Sequence, residues 1–264
     1  MSIGIIGIGC VGNAIYQNFL DKGINVIAYD KYKKIGILED LIKTDILFLC
    51  LPTLYNEELN EYDKTAIVEI CEYLLMNKYQ GLVVIKSTVE PGVTQELSVK
   101  YNLNLFHNPE FLTARTAYQD FNNQKHIIIG SSNRITVEQL ELLTNFFKKY
   151  YPDAEISTCK STESESVKIF CNCFYAVKVQ FFNELYFLCQ KVNVDYNHIR
   201  DMMLKNGWIN PMHTQVPGID GNFSYGGMCF PKDTNALLAF MKSQKTPYQI
   251  LDATIKERNF MRQD

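Results

Sequence analysis

The sequence predicts an α/β fold: an N-terminal parallel sheet with helices on both faces over 1–158, then a long central helix and a small all-α domain over 159–264. Three observations predict it. Short apolar runs alternate with stretches of helical spacing up to about residue 158, the rhythm of a parallel sheet built from strand–helix–strand crossovers. The first run leads into Gly7-Ile8-Gly9-Cys10-Val11-Gly12, a glycine turn that opens a helix. And from 161 to about 192 there is no glycine or proline while apolar residues recur at helical spacing. That stretch predicts one helix of roughly 45 Å, at 1.5 Å per residue.

Each element follows in order. Residues 2–6 read as a strand, 13–22 as an amphipathic helix stopped by Gly23, and 25–30 as a second strand ending in Asp30. Strand, G-x-G-x-x-G, helix, strand and acid together make the dinucleotide fingerprint of a Rossmann-type sheet. Gly7 makes the tight turn, Gly9 admits the pyrophosphate to the amides of the helix N-terminus, and Gly12 lets helix and strand pack closely. Asp30, 18 residues after Gly12, would accept the adenosine ribose hydroxyls, which favours NAD over NADP. Lys31, Lys33 and Lys34 follow it and pull the other way.

Strands are predicted at 45–51, 82–85, 103–106, 126–129 and 154–158, with helices at 63–77, from Pro91 to 101, and at 136–150. The tips Pro52-Thr53, Lys86-Ser87-Thr88 and Asn108-Pro109-Glu110 all fall at strand C-termini, where a parallel sheet binds its ligands. In the second half, 195–205, 233–243 and 248–261 read as helices, and 206–225 as a loop rich in Gly, Pro and Asn.

Composition excludes some classes. A net charge of −3 with no basic run recommends no nucleic-acid surface. No apolar run reaches a membrane span, and no cleavable leader precedes the first strand. The eight cysteines include no Cys-x-x-Cys pair, and several stand in apolar runs. A zinc site is not expected, and a reducing, cytoplasmic setting is.

One stretch reads as reactive: Gly226-Gly227-Met228-Cys229-Phe230-Pro231-Lys232-Asp233. Two glycines would let the backbone approach a ligand closely. Lys232 or another cation would hold Cys229 as the thiolate that attacks a carbonyl, and Asp233 would share its side of a helix starting at Pro231. On the long helix, Lys168 and Asn172 are four apart among Ile169, Phe170, Phe174 and Val177, placed as donors for a developing oxyanion. The plainer readings are a capped turn with a packing cysteine, and a snorkelling lysine beside a core amide.

These stretches, with Lys86-Ser87-Thr88-Val89 and Asn108-Pro109-Glu110-Phe111-Leu112, resemble in order and spacing the nucleotide-sugar 6-dehydrogenases of the UDP-glucose/GDP-mannose group. The likeness is greatest to the UDP-glucose members. Val216-Pro217-Gly218-x-Asp220-Gly221 also looks like that family's loop over the sugar.

The resemblance implies a four-electron oxidation of the sugar 6-hydroxyl with two NAD per turnover. Cys229 would carry a thiohemiacetal and then a thioester. Lys168, Asn172, Asp233, Glu110 and Thr88 would be the other catalytic residues. Cofactor contacts are implied for Gly7, Gly9, Cys10, Val11, Gly12, Asp30, Lys34, Pro52, Thr53, Ser87, Thr88 and Lys232. Substrate contacts are implied for Glu110, Phe111, Leu112, Lys168, Asn172, Tyr225 and Gly226. It further implies UDP-glucose as substrate and a homodimer through 161–192. The chain departs from the family at Thr113-Ala114-Arg115-Thr116, where a glycine is usual, and in having no third, nucleotide-covering domain within its 264 residues. Two alternatives stay open: a two-electron 3-hydroxyacid-type dehydrogenase, and a catalytically idle NAD-binding protein.

Overall fold

The computed structural model describes residues 1–262 and divides into two units. In chain order the first half holds β1 (Ile3–Ile6), α1 (Cys10–Asp21), β2 (Val26–Tyr29), α2 (Leu38–Leu41), β3 (Ile46–Leu49), β4 (Tyr55–Asn56), β5 (Glu61–Tyr62), α3 (Thr65–Met76), β6 (Leu82–Ile85), α4 (Val93–Tyr101) and β7 (Asn104–His107). A 3₁₀ turn at Ala114–Thr116 leads into α5 (Ala117–Asn122), β8 (His126–Ser131), α6 (Val137–Tyr150) and β9 (Glu155–Lys160). Then come α7 (Ser161–Lys191), α8 (Tyr196–Lys205), α9 (Phe230–Ser243) and α10 (Gln249–Met261).

The first unit, 1–54 with 62–168, is a seven-stranded sheet in the order β2-β1-β3-β6-β7-β8-β9. Successive residues of β3 point to opposite faces, and both faces are covered. Ile46 and Phe48 join one cluster with Ile15 and Phe19 of α1 and Phe146 and Phe147 of α6. Leu47 and Leu49 join the other with Ile67 and Leu74 of α3 and Leu97 of α4. That is why these strands read as unbroken apolar runs rather than as alternation. Two helix ends are set by local signals. Thr136 and Gln139 form a reciprocal capping box at α6. Gly23, at φ 68, closes α1.

The sheet is not wholly parallel. β8 runs antiparallel to β7, and β9 pairs parallel to β8. The reason lies in 108–125, which does not return along a sheet face as a crossover helix would. It packs α5 against α1, with Asn18 Nδ2 donating to Asn122 Oδ1 at 2.9 Å and Tyr118 Oη to Asp21 at 2.5 Å. The domain boundary also differs from the expected 158/159. It falls inside α7, after Lys168, and residues 55–61 go with the second unit. The first turns of α7 are tied to the sheet unit. A Cβ on Gly130 of β8 would lie 2.4 Å from Ser164 Cβ and 2.9 Å from Ser161 Cα, so only glycine admits the helix there.

The second unit holds the rest of α7 with α8, α9 and α10. Asp195 caps α8 by accepting from the N–H groups of Asn197 and His198. Phe182, Cys189, Tyr196 and Val216 form a small core. Pro231 lies in the first turn of α9, where its missing N–H leaves no helix bond unmade.

Candidate active site

In the first unit the glycine turn has the geometry a dinucleotide needs. Gly7 is at φ 89, and a Cβ there would meet the Cys50 carbonyl oxygen at 2.4 Å. A Cβ on Gly12 would stand 1.8 Å from the Gly7 oxygen. At Gly9, the residue before α1, a Cβ would meet nothing within 4 Å. Two glycines therefore serve internal packing, and the third keeps the approach to the helix N-terminus open for an anion. Cys10 and Val11 begin the helix, with the Cys10 thiol exposed and 3.7 Å from the Ala114 oxygen.

Asp30 accepts from the Ile8 N–H at 2.8 Å and from the N–H groups of Tyr32 and Lys33 at 3.0 and 2.9 Å. Burial would raise its carboxyl. The bonds from Lys33, Ile8 and Tyr32 and the Lys33 charge outweigh that and hold it below the usual range. Lys34 is exposed at φ 55, and the lysine that reaches the turn is Lys33, whose Nζ donates to the Ile8 oxygen at 2.5 Å. These residues fit NAD: an open glycine, free helix amides and an anionic ribose acceptor.

The strand tips are bound to one another. Ser87 Oγ donates to the Leu51 oxygen at 2.6 Å and accepts from the Leu51 N–H at 3.0 Å. Thr53 Oγ1 donates to the Thr88 oxygen at 2.7 Å, just after Pro52. Ser87 and Thr53 thus brace the ends of β3 and β6 against each other.

Beyond β7, Glu110 lies between two donors. Lys168 Nζ donates to its backbone oxygen at 2.5 Å and to Oε1 at 3.2 Å, and Oε2 accepts from the Leu112 N–H at 2.6 Å. Phe111 is exposed beside it, its ring 5.2 Å from Lys168 Nζ. Two buried side chains support this tip from beneath. Buried Lys86 donates to Asn108 Oδ1 at 2.7 Å, and Asn108 donates to the Ile128 oxygen at 2.6 Å. Burial pushes the Lys86 ammonium down to about 8. His107, bonded to Ser164 at 2.8 Å, is pushed down to about 3 by burial and by the Lys86 charge, so it is neutral at neutral pH.

Glu165 is a residue the periodicity hid, since it reads as an ordinary surface glutamate of a long helix. It is buried and accepts from the N–H groups of Gly92 and Thr94 at 2.6 and 2.7 Å, capping α4 from α7. Burial pushes its carboxyl up to about 7, opposed by those bonds and helped by Glu90. A carboxyl raised in the folded state contributes stability that is full below its unfolded value near 4.5 and is lost as pH climbs to about 7. Urea unfolding of Glu165→Gln across that window should lose this downward slope. An unchanged slope relative to wild type would contradict the assignment.

In the second unit, Asp233 is wholly buried. Its Oδ2 accepts from Asn172 Nδ2 at 2.6 Å and its Oδ1 pairs with Lys232 Nζ. The Cys173 thiol lies 3.3 Å from its backbone oxygen. Cys229 precedes α9, and its carbonyl accepts the Asp233 N–H at 3.0 Å. Its side chain is exposed, at a helix N-terminus where peptide dipoles favour negative charge. The structure thus brings Asn172, Asp233 and Lys232 together one turn from Cys229. Tyr225, expected at the substrate, is 3% exposed, with its hydroxyl 3.5 Å from Thr234 Oγ1. A Gly226 Cβ would fall 2.2 Å from Arg262 Cζ, so Gly226 faces a side chain of its own unit. Among the described residues no three metal-ligating side chains gather, and no helix is long and apolar enough to cross a membrane.

Comparison with known proteins decides the family. Residues 34–150 match the NAD binding domain, and 162–259 the central domain, of the UDP-glucose/GDP-mannose dehydrogenase family. The chain belongs to that family. The glycine turn lies ahead of the matched segment, so its geometry supports NAD independently. A UDP-glucose 6-dehydrogenase of Campylobacter jejuni is 34% identical over 77% of this chain and 50% of its own length. This family member spans about half the length of the curated relatives it matches.

A UDP-glucose dehydrogenase from Pyrobaculum islandicum superposes with a TM-score of 0.87, at 24% identity, over 98% of this chain and 68% of that one. A 3-hydroxyisobutyrate dehydrogenase of Mycobacterium tuberculosis, 15% identical, superposes at 0.75 over 98% of this chain and 93% of its own. At such identities both likenesses establish the fold alone.

Proposed function

We propose that this chain oxidises the 6-hydroxyl of a nucleotide sugar to the carboxylate, UDP-glucose to UDP-glucuronate, with the sugar held covalently on Cys229. The observation that carries the reading is an accessible thiol at the start of α9, one turn from the buried Asp233–Asn172 pair. The named activity of the Campylobacter relative supports the substrate.

The glycine turn and Asp30 would hold NAD, which would supply the hydride acceptor for the sugar carbon. The chain's own residues do the rest. In the first oxidation Lys168 and Asn172 stabilise the alkoxide, and Asp233 holds the water that takes its proton. The Cys229 thiolate then adds to the aldehyde carbon, which keeps it from escaping. Loss of a second hydride leaves a thioester. Glu110, assisted by Thr88 and Asp233, activates the water that releases the acid and returns the thiol. Per sugar the balance is one alcohol, one water and two NAD in, one carboxylate, two NADH and three protons out. The purified chain given UDP-glucose and NAD should form UDP-glucuronate. NADH formed with a 3-hydroxyacid but not with UDP-glucose would instead favour the two-electron alternative, which has no use for an exposed Cys229.

We also place a second copy of the chain against α7. Phe170, Phe174, Phe181 and Leu188 are all exposed, at spacings of four, seven and seven that align them as one stripe. Such a face is costly to leave in water. Sedimentation should give twice the 30.5 kDa of one chain, and Phe174→Glu should return it to one. A wild-type protein that sediments as one chain at micromolar concentration would contradict the pairing.

A further inference from the structure

The two glycines before Cys229 owe their identity to different causes. Gly227 is at φ 77, and a Cβ there would meet nothing within 4 Å, so the backbone conformation alone selects glycine. A Gly226 Cβ would lie 2.2, 2.3 and 2.4 Å from Arg262 Cζ, Nη2 and Nε. The guanidinium occupies the space a side chain at 226 would fill. It is fixed there, because Arg262 Nη1 pairs with Asp220 Oδ2 at 2.7 Å and the arginine side chain is only 9% exposed. Burial would raise the Asp220 carboxyl, but the Asn222 N–H and Arg262 hold it below its usual range.

One turn earlier on α10, buried Arg258 donates Nε to the Tyr225 oxygen at 3.2 Å, its guanidinium 6.0 Å from the Tyr225 ring. Two arginines thus grip residues 220, 225 and 226 of the segment that ends in Cys229. All of these residues belong to the second unit.

We propose that Arg262 and Arg258 are positioning residues for Cys229, acting through 220–226, and that Gly226 is glycine to admit the Arg262 guanidinium rather than a ligand. The catalytic part of this rests on the function proposed above, and the contact itself does not. A methyl at 226 meets the end of a flexible side chain rather than backbone, so Gly226→Ala displaces Arg262 without breaking the fold.

The test is a double-mutant cycle on Gly226→Ala and Arg262→Ala. It is read first by the rate of chymotryptic cutting after Tyr225 in the native protein, which needs no turnover. Each single variant should raise that rate about fivefold and the double variant no further, because both remove one contact. Arg262→Lys, which can still pair with Asp220, should stay within about twofold of wild type. In turnover, kcat for sugar oxidation should fall in the same non-additive pattern and recover with Arg262→Lys, while NAD affinity stays unchanged. Cutting rates that multiply in the double variant, or that Arg262→Ala leaves unchanged, would overturn the contact. Non-additive cutting with unaltered kcat would overturn the positioning role. Non-additive cutting in a chain whose wild type oxidises no sugar would remove the proposed function and the role toward Cys229, leaving the contact standing.

Discussion

Cys229→Ser should lose acid formation by at least about 10³-fold, about 4 kcal/mol of transition-state stabilisation, while binding NAD within about twofold of wild type. Only the nucleophile changes. A serine hydroxyl has the same size and the same place ahead of α9, but near neutral pH its alkoxide population is negligible beside that of a thiolate. The substitution leaves the glycine turn and Asp30 as they are, so cofactor affinity should not respond. Acid formation is measured by anion-exchange separation of the product, and NAD binding by titration calorimetry. Wild-type acid formation in the serine variant would end the covalent mechanism.

Glu110→Gln should let the thiol be loaded but not released. The backbone oxygen of residue 110 still accepts from Lys168, and a neutral amide of equal size replaces the carboxylate. What is lost is the base that activates water, a contribution of about 10² to 10⁴ in rate. The sugar should then accumulate as a thioester on the Cys229 peptide, seen by mass spectrometry and removed by hydroxylamine. A variant that turns over at the wild-type rate, or stalls with no mass on Cys229, would exclude Glu110 from the release step.

Much of this site was legible because it rests on backbone constraints that few residues satisfy. In the turn at Gly7, Gly9 and Gly12 the structure shows a close backbone approach at Gly7 and at Gly12 and open space at Gly9. Long-range direction was not legible. An apolar run such as 126–129 reads the same whichever way the strand points, and what reverses β8 is the docking of α5 on α1, a contact 104 residues apart at Asn18–Asn122. The unit boundary inside α7 was hidden for a similar reason, since helical spacing continues unbroken across Lys168 while the tertiary partners change.

Buried charges were hidden too. Lys86 and Glu165 look in sequence like a strand-end lysine and a surface glutamate, and only burial gives them partners and unusual protonation. Gly226 announced itself as a site where something approaches the backbone. It could not announce that the visitor is Arg262, 36 positions later in the chain.

The central claim, that Cys229 retains the sugar between two oxidations, is tested most directly by counting NADH against acid in one wild-type reaction with limiting UDP-glucose. The account predicts two NADH for each UDP-glucuronate, with no free aldehyde at any time. One NADH per sugar, or an aldehyde that a carbonyl reagent can intercept, would contradict it.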